Sequence, residues 1–326
     1  MDERYAQTVR LLLTVAPAVF DNDIFAMKGG TAINLFVQDI PRLSVDIDVV
    51  YIPWQPNRQT ALEEIAAELE RIRDRLAHLG LTVRTLPSRD QGETKLFIEN
   101  ETCQIKVEVN FVFRGTVLPP IRQALSPKTS MLFSTEVEVP ILAPDELYGS
   151  KLVAALDRQH PRDLFDVWRL FEAGGLTDTT IECFVTYLAG GPRPFHEVLF
   201  GNDKDIEREY HNHFVGMTAD PVPLETLLSA RNRLREELSQ RLTPEQRRFL
   251  VSLSLAQPEW ELLQCPHAAE LPALRWKLEN LKKFSKKRPE DFSAQADELA
   301  RLLATPATDS ILSITSDKPN KDTPAS

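Results

Sequence analysis

The chain has 326 residues and a formal net charge of -10, from 38 basic against 48 acidic side chains, with 42% hydrophobic and 26% charged residues. This is globular composition for roughly two domains; it excludes a disordered, collagen-like or coiled-coil chain and, being acidic, argues against indiscriminate nucleic-acid binding, though not against a local basic patch. Three dispersed cysteines (Cys103, Cys183, Cys265) argue against a disulfide framework. No apolar run of about 18 residues occurs, and the acidic start Met1-Asp2-Glu3-Arg4 lacks the order of a signal peptide, so a cytoplasmic protein with no membrane association is expected.

In chain order, residues 4–20 read as a helix with a Leu/Val face. Residues 24–27 form a short apolar run that meets Gly29-Gly30 and then the helical pattern of 31–36, which reads as strand, glycine turn and helix. Residues 45–52 alternate apolar and acidic and read as a strand. A long amphipathic helix is expected over 58–79, ended by Gly80. Strands follow over 81–86, 93–99 and 104–113; in the last, Ile105, Val107, Val109 and Phe111 point one way and Lys106, Glu108 and Asn110 the other. The character changes at Pro140. Pro144-Asp145-Glu146 opens a helix, and the pattern is helical to about residue 303. The expected class is α+β: a mixed sheet with flanking helices over 1–140, an all-helical domain over 141–304, and a disordered tail over 305–326.

The chemistry concentrates in a few places. Asp46 and Asp48 lie two apart in a β-branched strand, so both carboxylates share one face. Such a pair is either solvated on a half-exposed strand or bridged by a divalent cation that keeps phosphates in its shell. Glu108, on the polar face of its own strand, is a third acid able to join them from a neighbouring strand; alone it is a solvated residue or a partner of Lys106 or Arg114. Lys28-Gly29-Gly30-Thr31 stands between a strand and a helix, where glycines let the backbone approach a phosphate, or simply make a tight capped turn. It is not a Walker A loop, whose spacing is absent. Lys151 and Arg158 are seven residues apart on one helical face; Asp163 and Asp166 are three apart on the next helix. On their own these four make a salt-bridged helical hairpin. His211-x-His213 and Cys265-Pro-His267 lack a matching second pair for zinc.

Together these residues resemble the nucleotidyltransferases of the AbiEii/AbiGii toxin family, within the DNA polymerase β-like superfamily. Gly30-Thr31 followed by Asp46-x-Asp48 matches the first family motif, and residues 28–36 with Arg42-x-Ser44-x-Asp46-Ile47-Asp48 are closer to this family than to the superfamily at large. Lys151-Leu152-x-Ala154-x-x-x-Arg158 and Arg162-Asp163-x-x-Asp166 match later motifs, and Lys106-Val107-Glu108-Val109-Asn110 and Arg114-Gly115 also look familial. The likeness is good over about residues 20–170 and looser beyond. The gap between Thr31 and Asp46 is wider than in parts of the superfamily, which leaves the loop geometry open.

The resemblance implies a polymerase β-like nucleotidyltransferase domain followed by helices that complete the site and bind the acceptor. It implies transfer of a nucleoside monophosphate from an NTP to an acceptor, in some members the 3′ end of tRNA, so that translation is blocked, within a toxin–antitoxin or phage-defence system whose antitoxin is encoded next door. Asp46, Asp48 and Glu108 would hold Mg²⁺ or Mn²⁺. Gly29, Gly30, Thr31 and Ser44 would hold phosphates, Lys151 the triphosphate with Arg158 and Arg162 in support, and Asp166 would be a further essential acid. A basic, aromatic-bearing segment over 275–288 completes the reading: Lys277, Lys282, Lys283, Lys286, Lys287 and Arg288 are the candidates for contact with the acceptor's phosphates. The alternatives are a small-molecule or protein-side-chain acceptor, or a catalytically inactive NTP-binding module.

Overall fold

The structure, a computed structural model, describes residues 3–87 and 93–304. The tail expected over 305–326 lies outside the described residues. The elements are α1 (Glu3–Val19), β1 (Phe25–Lys28), α2 (Gly29–Ala32), a π turn (Ile33–Val37), β2 (Asp46–Tyr51), α3 (Arg58–His78), β3 (Thr82–Pro87), β4 (Glu93–Glu99), β5 (Gln104–Asn110), β6 (Ile121–Ala124), α4 (Pro127–Phe133) and β7 (Glu138–Ile141). Helices follow: α5 (Pro144–Arg158), α6 (Pro161–Glu172), α7 (Asp178–Ala189), α8 (Phe195–Phe200), α9 (Glu207–His213), α10 (Leu224–Arg241), α11 (Pro244–Ser254), α12 (Pro272–Lys287) and α13 (Pro289–Ala304).

The strands form one mixed sheet in the order β3-β4-β5-β2-β1-β7-β6. Strand β2 runs parallel to β5 and antiparallel to β1, and β1 runs parallel to β7. Ile47 and Val49 of β2 and Ile105, Val107 and Val109 of β5 are buried on one face. Helix α1 closes that face with Val9, Leu12, Val15 and Val19, and packs on α3. Helix α3 is capped by Asn57, whose side chain accepts from Thr60 N, and it buries Ala61, Ile65, Leu69, Ile72 and Leu76 at helical spacing. The opposite face of β2 and β5 carries Asp46, Asp48, Lys106 and Glu108, which is how the period-two pattern of the strands positions the acids.

Three short elements have no counterpart in the sequence reading: β6, α4 and β7. Pro140 reads as a break, yet it lies inside β7, opposite Arg122 of edge strand β6, and Ile141 pairs with Met27 of β1. Proline is tolerated there because β7 is short and meets β1 in register only through Ile141, so Pro140 has no ladder partner on that side. The strand expected over 104–113 stops at Asn110. The Asn110 side chain accepts from Val112 N and Phe113 N and turns the chain out of the ladder. The helix expected over 31–36 is present, but it widens to a π turn after one α turn.

Helix α5 is tied to the loop before β6 and to α7 by a buried acid. Glu146 accepts from Val117 N at 2.8 Å, Leu118 N at 2.9 Å and the Tyr187 hydroxyl at 2.9 Å. Burial pushes its carboxyl up to about 7 against the pull of these hydrogen bonds. Between the ordinary glutamate value of 4.5 and about 7, the folded chain holds a proton the unfolded chain has released. The contribution of this site to stability therefore falls as pH rises through that window, by on the order of 3 kcal/mol. Replacing Glu146 by Gln removes the proton and is expected to flatten the slope. Urea unfolding of both proteins at about pH 5 and about pH 7.5 checks this, and parallel pH profiles would refute it.

Candidate functional site

The turn after β1 is pressed against the acids of β2. Gly29 has φ +77, and a Cβ there would lie 2.1 Å from Asp48 Oδ2 and 2.9 Å from its Cγ. Only glycine tolerates both the left-handed backbone and the approach. A Cβ on Gly30 would lie 2.6 Å from Arg42 Nη2 and 3.1 Å from Ser44 Oγ. The buried Thr31 hydroxyl is 3.0 Å from Ser44 Oγ, which fixes the loop before β2 to the glycine turn. Gly29, Gly30, Thr31 and Ser44 therefore meet in one place.

The acids occupy neighbouring register positions. Asp48 lies across from Lys28 on one side and Glu108 on the other, and Asp46 lies across from Lys106. Burial raises the half-buried Asp48 carboxyl above the usual range; Lys28 pulls it down, while Glu108 and Asp46 push it further up. Glu108 is held by Lys95 at 2.8 Å and Lys106 at 3.0 Å, and Lys106 also reaches Asp46 at 3.7 Å. Burial opposes the Glu108 charge, but these two lysines hold its carboxyl below the ordinary value. Among the described residues no group of three or more His, Cys, Asp or Glu is already gathered as a metal cage. The donor set nevertheless fits a hard divalent cation: all ligands are oxygens, and Asp48 carries mutual carboxylate repulsion that such an ion relieves. To join it, Glu108 exchanges a lysine pair for the ion.

Behind the glycine turn lies a buried charge cluster joining the sheet to the helices. Arg42 donates from Nε and Nη2 to the two oxygens of Asp166, each at 2.7 Å. Lys151 Nζ lies 2.9 Å from Asp163 and 3.0 Å from Asp166, and Arg158 reaches Asp163 at 2.8 Å. Arg42, Lys151, Asp163 and Asp166 are all buried. Burial alone would raise the acids, but Arg42 and Lys151 hold Asp166 below its usual range, and Lys151 with Arg158 brings Asp163 to about 2. Three cations face two carboxylates, so the cluster is net positive, and Lys151 is felt at Asp48. Arg158 and Arg162 are exposed at the α5–α6 corner. The hairpin pairing read from α5 and α6 is thus present, and Arg42 is the member that sequence reasoning left without a role. Its signal was the Arg42-x-Ser44-x-Asp46 stretch; its partner is 124 residues away.

Helix α12 divides the basic segment. Lys282, Lys283, Lys286, Lys287 and Arg288 are exposed, and Arg288 pairs with Asp291 at 2.5 Å. Lys277 requires a correction: it is buried, and its Nζ donates to Gly191 O at 2.9 Å and Arg193 O at 2.8 Å while lying 4.8 Å over the Phe195 ring. It closes a turn of the chain instead of facing solvent. No helix of the described residues is long and apolar enough to cross a membrane.

The family described as nucleotidyl transferase AbiEii toxin, Type IV TA system, matches residues 10–280. Among solved structures the fold is similar to MenT4, a nucleotidyltransferase toxin from Mycobacterium tuberculosis, with a TM-score of 0.56 at 17% identity over 85% of this chain and 94% of that one. No curated protein matches the sequence.

Proposed function

Because the chain belongs to the AbiEii nucleotidyltransferase toxin family of type IV toxin–antitoxin systems, we propose that it transfers a nucleoside monophosphate from an NTP to an RNA, the 3′ end of tRNA, and so blocks translation in the cytoplasm. The observation that carries the reading is the meeting of three parts: the acids Asp46, Asp48 and Glu108, the glycine turn against Asp48, and the net-positive cluster behind it. Asp46, Asp48 and Glu108 would hold Mg²⁺ or Mn²⁺, which when bound neutralises the triphosphate. Gly29, Gly30, Thr31 and Ser44 present backbone N–H groups and hydroxyls to the phosphates. Lys151 is committed to Asp163 and Asp166, so it acts on the phosphates through its field; Arg158, exposed but paired with Asp163, supports from the rim, and the exposed Arg162 stands beside it at the α5–α6 corner. The acceptor hydroxyl bonds to the α-phosphorus, the bond to the bridging oxygen breaks, and pyrophosphate leaves. Residues 1–140 hold the nucleotide, 141–304 complete the site and seat the acceptor, and a small neighbouring antitoxin restrains the enzyme.

The test is labelling. Purified protein is incubated with Mg²⁺, each α-labelled NTP in turn and deacylated tRNA, beside Asp48→Ala. Label on tRNA with the wild type alone is the expected result. No label on any RNA from folded, NTP-binding protein would point to a small-molecule or protein acceptor, or to an inactive module. Neutralising Lys282, Lys283, Lys286 and Lys287 together is expected to weaken tRNA binding and to reduce the slope of log affinity against log salt by roughly 3. An unchanged slope would place the acceptor elsewhere.

A further inference from the structure

A cavity opens in the helical half, away from the candidate active site. It lies between α8, α12 and α13 and has a volume of about 340 Å³. Its walls are aromatic: Phe195, Trp276, Phe284 and Phe292 line it, with Phe284 and Phe292 edge to face at 5.9 Å. Trp276 is 51% exposed, and among the described residues the other large exposed apolar side chains are aliphatic. Two amides, Asn280 and Gln295, also line the cavity. An apolar pocket with a few polar groups is the usual form of a small-ligand site.

Bases and acids at the mouth lie on opposite sides, the lysines on α12 and the acids on α13. Lys283 and Lys287 follow Trp276 by seven and eleven residues, which puts them on the same stripe of α12, and both are exposed. The acids on the α13 side, Asp291 and Glu298, are each engaged by an arginine, Arg288 and Arg301. The wall is also joined to the candidate active site. Arg193, whose carbonyl accepts from Lys277, pairs with Asp157 at 2.6 Å, and the next residue, Arg158, pairs with Asp163.

We propose that this cavity seats an unstacked base of the RNA acceptor, with Trp276 as the stacking platform, Asn280 and Gln295 facing the base edge, and Lys283 and Lys287 on the adjoining phosphates. Exposed aromatics beside a basic track are the recurring means of holding single-stranded RNA. The inference rests on the RNA reading above and specifies where that RNA is held. A protein partner would call for a broad apolar patch, whereas one ring and a line of lysines suit a base and its backbone.

The experiment uses the full chain, a deacylated tRNA pool and Trp276→Ala. Because Trp276 is half exposed, the variant is expected to fold, and circular dichroism checks it. Its tRNA affinity is expected to fall roughly 5- to 100-fold, with NTP binding unchanged. Trp276→Phe keeps a ring, so it retains affinity within about 3-fold while removing the Trp276 share of the tryptophan fluorescence quenching that tRNA causes in the wild type. If the wild type binds tRNA and Trp276→Ala binds it equally well, the base site is overturned and the RNA reading stands. If the wild type binds no tRNA, both fall. If tRNA affinity is unchanged but the protein from the adjacent gene no longer binds Trp276→Ala, the surface belongs to that partner and the base site is overturned.

Discussion

Replacing Asp166 by Asn is expected to destabilise the fold by about 3–5 kcal/mol and to abolish nucleotidyl transfer. The change keeps the volume and removes one charge. Arg42 and Lys151 are both buried and both depend on that carboxylate, Arg42 through two bonds of 2.7 Å and Lys151 at 3.0 Å. Asp163 alone would then face three cations. An amide offers one acceptor oxygen to the arginine fork and turns an N–H₂ donor toward a guanidinium. Breaking one partner of a buried pair leaves an uncompensated charge, which is far worse than never having buried the pair. A fitting control is Glu138→Gln, which removes the partner of Arg122 at a site exposed on both sides and should matter by less than about 1 kcal/mol. Urea unfolding measures both. Similar small losses in the two variants would mean that the cluster is solvated and does not hold the halves together.

Gly29→Ala is expected to lower nucleotidyl transfer by about 100-fold or more, because it displaces the Asp48 carboxylate. The new Cβ would lie 2.1 Å from Asp48 Oδ2, so one of the two must move. Backbone strain at φ +77 adds about 1–2 kcal/mol to the folded state. Gly80→Ala separates the two effects. Gly80 has φ +75 at the end of α3, and nothing lies within 4 Å of its Cβ position. It should share the loss of stability and keep full activity. Steady-state labelling of the two variants against thermal stability decides the matter; equal activity would show that Asp48 does not need its place behind the turn.

Much of this site was legible in the residues, and the limits have physical causes. Alternation in β2 and β5 put Asp46, Asp48 and Glu108 on the right face, because period two is fixed by the pleat and survives any tertiary context. The glycine turn was legible as strand, turn and helix. The short strands β6 and β7 were not, since four residues hold too little pattern to read and Pro140 signals a break. Arg42 was missed because its partner is distant in the chain, and no local pattern reports a pairing of that range. Lys277 was misplaced for a different reason. Leu274, Lys277, Leu281 and Phe284 recur at helical spacing, so Lys277 lies on the inward stripe, and the density of positive charge obscured its phase. A long apolar stem and two carbonyl acceptors make that position tolerable for lysine.

The span between Arg42 and Asp166 also sets an order of events during synthesis. Arg42 leaves the ribosome 124 residues ahead of its counter-ion. At ordinary elongation rates that is an interval of about 6–25 s. Throughout it the nascent chain carries the acids and the glycine turn with no charged floor beneath them. A copy stalled or cleaved before α6 therefore lacks the cluster that links the sheet to the helices, so a host cell meets the finished site only once translation has passed Asp166.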